Sequence, residues 1–139
     1  MPLRVVLDTN VLYAGLRSRH GASFQILDAL WQRQWTLLLS NTVLTEYEEI
    51  LHRESTALRL NPDRIQRLLD ALCAIAEHRH PSGDWVPILS DPDDEALAHL
   101  AVEARADHLV THNLNHLAPA RRAGVNLLAP RVFLAILRT

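Results

Sequence analysis

The sequence contains no lysine: all 14 of its basic residues are arginine. Reactions that turn on a lysine amine or ammonium therefore lose their central residue. Cysteine is nearly absent too. Cys73 stands alone, which excludes an intramolecular disulfide, and its setting in "RLLDALCAIA" predicts a small core side chain and not a reactive thiol, because burial raises a thiol pKa. Charge of one sign is also lacking. With a net charge of −2, bulk charge does not advertise a nucleic-acid binder, so any such contact must use local arginines or a bound cation. No apolar run approaches the roughly 20 residues of a membrane helix, and no charged leader with an apolar stretch and small-residue cleavage site opens the chain. The expectation is a cytoplasmic protein with no membrane partner.

What is present is ordinary for a globular chain: 139 residues, 48% hydrophobic and 22% charged, without a repeat, linker or low-complexity tract. A chain of this length matches one domain over 1–139 and buries roughly 68% of its unfolded surface. "RVVLD" (4–8), "WTLLLS" (35–40) and "HLVT" (108–111) are apolar runs of strand length, and "NLLAP" contains a shorter one. Between them lie helical patterns. A weak one follows Asp8 to Leu16; Ser23 is placed to cap a second, running to about Arg33; Asn41 or Thr42 can cap a third, with Val43, Leu44, Tyr47, Ile50 and Leu51 on one face. "NPDR" starts a fourth, with Pro62 at its first position and Asp63 favoured by the helix dipole. "DPDDEALAHLAVEARA" is a fifth, and a last begins at Pro130. Residues 77–90 have poor periodicity, with "PSGDW" as loop and room for a short strand on either side. Strands apolar throughout, alternating with amphipathic helices, predict an α/β fold whose central parallel sheet is flanked by helices on both faces.

In such a sheet, ligands bind beyond the carboxyl ends of the strands. Four polar residues are expected there: Asp8 at the end of the first strand, Glu46 early in the helix after the second, Asp94 in the first turn of its helix, and Asn113 after "HLVT". Periodicity does not separate Glu46 from Glu48, since both flank the apolar face; Glu46 is nearer the helix start. Asp94 precedes Leu97, Ala98 and Ala101 by three, four and seven residues and so shares their inward side. Asp91, Asp93 and Glu95 are explained by helix-start chemistry around Pro92. Three carboxylates within about 5 Å repel pairwise by roughly 3 kcal/mol at an effective dielectric near 20. An oxygen-only cluster without matched His or Cys suits Mg²⁺ or Mn²⁺, and a cation so held activates water and stabilises charge on a phosphodiester.

"VVLDTNVL", "NTVLTEYEEIL", "DPDDEALAHLA" and "HLVTHNLNHL" resemble, in order and approximate spacing, the motifs of PIN-domain nucleases, especially the bacterial toxins of VapBC-like toxin–antitoxin systems. The resemblance spans nearly the whole chain. It implies a single PIN-like domain and a Mg²⁺- or Mn²⁺-dependent endoribonuclease, with Asp8, Glu46 and Asp94 as acidic ligands. Thr111 matches the hydroxyl residue before the fourth position, and Thr9 and Asn10 match the polar pair after the first aspartate. At that fourth position many members have Asp where this chain has Asn113; an amide oxygen still ligates, but one negative charge is gone and a second metal would bind less tightly. The resemblance also implies RNA as substrate, a protein antitoxin as partner and a homodimer. Arg17, Arg19 and His20 in the first loop, with Arg121 and Arg122, are the residues available to hold an RNA backbone; His112 and His116 are left outside the core of the site. Trp31, Trp35 and "VFLAIL" are available for partner contacts, though core packing accounts for most of them.

Two other classes collect acids at such strand ends. Response-regulator receivers carry adjacent acids and a late lysine, and haloacid-dehalogenase-like phosphatases a second Asp two positions after the first; the chain has neither pattern. The remaining alternative is a noncatalytic PIN-like module that binds RNA or protein and has lost turnover through Asn113.

Overall fold

The computed structural model describes residues 2–139. Five strands, β1 (Arg4–Leu7), β2 (Thr36–Leu39), β3 (Glu77–His78), β4 (His108–Val110) and β5 (Leu127–Leu128), form one sheet in the order β3-β2-β1-β4-β5, with every pairing parallel. Val5, Val6 and Leu7 are at most 1% exposed, as are Leu37, Leu38 and Leu39. Successive strand side chains point to opposite faces, so both faces of the sheet are covered. The cover comes from α1 (Thr9–Arg17), α2 (Ala22–Trp31), α3 (Asn41–Arg53), α5 (Pro62–Ile75), α6 (Pro92–Glu103) and α8 (Pro130–Leu137). Short turns α4 (Ser55–Leu58) and α7 (Leu114–Leu117), and a 3-10 helix at Ala118–Ala123, complete the chain.

The strand order places a switch beside β1. From β1 the chain winds outward through β2 to β3, then crosses to β4 and β5 on the other side. Connections leaving β1 and β4 diverge, which opens a crevice at their carboxyl ends.

Local chemistry at the helix starts differs from the sequence expectation in two places. The cap of α3 is Ser40, whose Oγ accepts from the Val43 N–H at 3.2 Å, and not Asn41 or Thr42. Gly21, not Ser23, precedes α2; its φ of +101° lies where glycine alone is at ease, and Ser23 is buried one position inside the helix. Asn61 caps α5 through the Arg64 N–H at 2.8 Å, with Pro62 first, as the pattern implies. Cys73 is half-buried on α5, outside the core, because the buried stripe of that helix runs through Ile65, Leu69 and Leu72; burial and the neighbouring Asp70 still raise its thiol pKa. Of the two positions for a strand around "PSGDW", only the earlier is used, by β3. The later segment is held differently: Glu95 accepts from the Trp85 indole at 2.7 Å, from the Ile88 N–H at 2.6 Å and from the Leu89 N–H, which satisfies loop donors without a ladder. Trp35 is core, packed edge-on against Phe133 with its indole donating to the Ile26 carbonyl, whereas Trp31 is 39% exposed.

Gly15 sets how closely α1 approaches α2. A Cβ there would lie 2.6 Å from Leu27 Cδ1 and 2.8 Å from the Ser23 carbonyl oxygen, and the backbone oxygen cannot rotate away. At the opposite end of the strands, Arg4 reaches across β2 to Glu77 in a fork, Nε to Oε1 at 3.0 Å and Nη2 to Oε2 at 2.5 Å, and Arg79 adds a contact at 2.7 Å. The Arg4 hydrogen bond is the main reason that the Glu77 carboxyl is lowered from 4.5 to about 2; burial opposes it, and Arg79 reinforces it.

Two outcomes are expected. Gly15→Ala should destabilise the protein by about 1–3 kcal/mol in urea denaturation, the cost of overpacking. Glu77→Gln should cost about 1 kcal/mol at pH 7, discounted because the Glu77 side chain is 32% exposed. A lowered carboxyl stabilises above its ordinary pKa and loses that contribution as pH falls through the folded value, so the gap to wild type should narrow between pH 4.5 and 2.

Candidate active site

The crevice beside β1 is a cleft of about 310 Å³. Asp8, Thr9, Asn10, Glu46, Asp94 and Asn113 all line it, so the six residues expected from four separate motifs meet at one place. Thr111 lies behind them. Its side chain is fully buried, and its Oγ1 donates to Asp8 Oδ2 at 2.7 Å while accepting from the Asn113 N–H at 2.9 Å.

Asp8 is only 6% exposed and stands at the N-cap of α1, yet its side chain makes no capping hydrogen bond. Its backbone carbonyl accepts from the Val11 and Leu12 N–H groups, and its own N–H donates to the Val110 carbonyl across the switch. The carboxylate is thus not used as a simple cap. Burial raises its pKa, opposed by the Thr111 hydroxyl and the nearby Asn10 and Thr9 N–H groups. Asn113 repeats the pattern at the N-cap of α7, where its side chain makes no cap either.

Glu46 projects from the second turn of α3, whose inward face is pinned by the buried Tyr47; the Tyr47 hydroxyl donates to the Leu7 carbonyl at the end of β1. Burial pushes the Glu46 carboxyl up to about 7, helped by the charge of Asp93 and, more weakly, of Asp8 and Asp94. The Thr9 hydroxyl favours the charged form from close by, but without a hydrogen bond of normal geometry. Among the described residues three buried side-chain polar atoms have no hydrogen-bond partner, and two of them, Thr9 Oγ1 and Glu46 Oε2, belong to this cleft. Orphaned buried oxygens are costly, and two in one cleft leave room for a water or an ion as partner. Asp94 is also raised, by burial and then by Asp91, Asp8 and Asp93, with His116 pulling the other way.

Asp91 and Asp93, expected only as helix-start acids, also line the cleft. Asp91 does cap α6, accepting from the Asp93 N–H at 2.8 Å, but Asp93 itself turns into the cleft. His116 and Arg53 line it as well. Helical spacing gave no signal for these, because their approach depends on how α3, α6 and α7 are packed. Glu48 points to solvent. Arg17 and His20 line a neighbouring hollow, while Arg19, Arg121 and Arg122 line neither.

The donor set is oxygen-only and rich in carboxylate, the chemistry of a hard divalent cation. No three acidic, histidine or cysteine side chains among the described residues already form a closed metal cage. At about 4 Å two carboxylates repel by roughly 4 kcal/mol at an effective dielectric of 20, so a counter-charge favours their closer approach. The buried, unpaired Glu46 oxygen and the fixed Asp8 carboxylate fit such an ion.

A family model described as PIN domain matches residues 4–115. A comparison with curated proteins found no match. Among solved structures, the chain resembles VapBC2 from Rickettsia felis bound to a DNA fragment from their promoter, with a TM-score of 0.61 and 18% identity over 91% of this chain and 98% of that one.

The raised carboxyls make a stability prediction. A raised carboxyl costs stability as pH climbs from the ordinary value through the folded one, here from 4.5 to about 7 for Glu46. In EDTA at pH 8, Glu46→Gln should raise stability by about 1–2 kcal/mol, less than the full shift implies because the side chain is only half-buried, and Asp94→Asn should change it in the same direction; both gains should vanish near pH 4. Thermal denaturation followed by circular dichroism reads both.

Proposed function

The chain belongs to the PIN-domain family, and on that premise we propose that it is a Mg²⁺- or Mn²⁺-dependent endoribonuclease, the toxin of a toxin–antitoxin pair. One observation carries the proposal: a buried carboxylate freed from capping, Asp8, shares a cleft with the orphaned oxygen of Glu46 and with Asp94. The likeness to VapBC2 is in keeping with it. An antitoxin partner, a homodimer and a cytoplasmic setting belong to the same reading, as does treating 1–139 as one PIN-like domain. Among the described residues no helix is long and apolar enough to cross a membrane.

In this reading Asp8, Asp94 and Glu46 hold the cation, with the Asn113 amide oxygen as a weaker fourth donor. When bound, the ion lowers the pKa of a water and stabilises charge on the phosphodiester. Thr111 acts through Asp8: its hydroxyl fixes the carboxylate before any ligand arrives. Glu46 Oε2, with no protein partner, is the oxygen available to take a proton from the attacking water or to orient it. Thr9 and Asn10 offer polar atoms on the β1 side of the same cleft, and Arg17 is the expected arginine best placed to meet the RNA backbone nearby.

Purified protein incubated with a mixed structured RNA in Mg²⁺, Mn²⁺ or EDTA tests this, with Asp94→Asn prepared alongside. Cleavage should need the metal and fall at least ~100-fold in Asp8→Asn and Asp94→Asn while both stay folded. Equal cleavage by wild type and variant would refute the site; RNA binding without any cleavage would establish the noncatalytic module. Asn113→Asp should lower the metal concentration giving half-maximal activity, since it restores a negative ligand. Thr111→Val should lose about 10–100-fold in activity or metal affinity, as expected for a group that orients a ligand.

A further inference from the structure

A second hollow, about 570 Å³, adjoins the cleft on its β4–β5 side. Tyr13 lines both. The walls of this hollow are largely apolar, from Tyr13, the start of α8 at Pro130 and the turn between α1 and α2. Its charged and titratable lining is Arg17, His20, His112 and Arg131, and none of its lining residues is acidic. That contrasts with the neighbouring cleft, where Asp8, Glu46, Asp91, Asp93 and Asp94 gather.

The hollow is held in shape. Arg17, one of the lining residues, has its guanidinium held by a hydrogen bond to the Ala57 carbonyl at 3.0 Å. His112 is tied twice: its ring lies 3.3 Å from the buried Ser23 hydroxyl, and its N–H donates to Asn10 Oδ1, also at 3.3 Å. The close approach of α1 to α2 at Gly15 sets the Ser23 side. Tyr13 is half-buried: it packs against the core on one side and lines the cleft and the hollow on the other. A volume of this size falls in the range that holds a small molecule, roughly 300–1,000 Å³.

We propose that this hollow is a nucleobase subsite: a base of single-stranded RNA next to the scissile phosphate stacks on Tyr13, with its flanking phosphate facing Arg17 and Arg131. The proposal rests on the nuclease reading and gives it a substrate form. A flat, weakly charged base attached to an anionic backbone matches an apolar wall with a cationic, acid-free rim, and the shared Tyr13 makes the two sites continuous. A duplex would keep the base stacked on its neighbours, so the strand must be unpaired here.

Binding of 5′-fluorescein-labelled rA12 and rU12, and of a 12-residue abasic ribose-phosphate chain of equal charge, tests it by anisotropy at fixed salt in Mn²⁺, using the Asp94→Asn background to separate binding from cleavage. Base–aromatic stacking is worth about 1–3 kcal/mol by alanine substitution. The base-bearing strands should therefore bind about 5–150-fold tighter than the abasic chain. Tyr13→Ala should collapse that ratio, Tyr13→Phe should keep it, and Arg131→Ala should weaken all three strands by a common factor. Equal binding of abasic and base-bearing chains, or a ratio unchanged in Tyr13→Ala, overturns the subsite; it leaves the nuclease reading intact if wild type still cuts RNA with metal. A Tyr13-dependent ratio without cleavage by wild type upholds the subsite and sinks the nuclease reading. No binding of any strand overturns the subsite.

Discussion

The hydrogen bond from Thr111 to Asp8 joins the ends of β1 and β4 where the chain connections part. It sits at the one edge of a parallel sheet where the backbone leaves a crevice, and it involves a carboxylate that burial would otherwise neutralise. Hydroxyl and backbone donors offset part of that cost, but not all. The rest of the cleft repeats the problem. Tyr47 anchors α3 to the last residue of β1 and thereby brings Glu46 over the same strand end, where burial and Asp93 push its carboxyl to about 7. A surplus of negative charge around partly buried carboxylates is an arrangement that a cation relieves, and the fold supplies the rigid core under it.

That core explains why the strain is tolerated. Val5 to Leu7 and Leu37 to Leu39 are sealed on both faces of the sheet, and each such side chain contributes about 1.5–3 kcal/mol on burial. Destabilising interactions worth a few kcal/mol can therefore be concentrated at one edge without loss of the fold. The opposite ends of the strands are organised the other way: Arg4, Glu77 and Arg79 pair opposite charges, and the Glu77 carboxyl is lowered. Glu77 is lowered by its arginine partners, whereas Asp8, Glu46 and Asp94 around the cleft are raised by burial. The acid-free hollow beside the cleft extends the same division, with cations and apolar wall in place of carboxylate.

Much of this was legible from residue order. Continuous apolar runs at 4–8, 35–40 and 108–111 identify buried parallel strands, and Asp8, Glu46 and Asn113 at or shortly after their ends mark the edge where the cleft lies. Where local signals competed, sequence reading was less exact. Ser40, Asn41 and Thr42 are three adjacent capping residues, and the choice of Ser40 follows from where β2 stops. Ser23 has the composition of a cap but is drawn inside α2, because Gly21 alone takes the turn. Beyond Arg79, whose N–H still pairs with the Leu39 carbonyl, the segment to 90 has no period to read, and Glu95 satisfies part of its backbone.

The sequence by itself determined the α/β class, the strands of the central sheet and the short set of acids at their ends, because those depend on period, burial and chain direction, which are local properties. Only the tertiary structure decided that Asp8 would not cap its own helix, that Asp93, Arg53 and His116 would enter the cleft, that Glu46 and not Glu48 would face it, and that Tyr13 would stand between two cavities of opposite character. Each of those is settled by how helices distant in the chain pack over one strand end. Three-dimensional proximity of that kind has no signature in spacing along the chain.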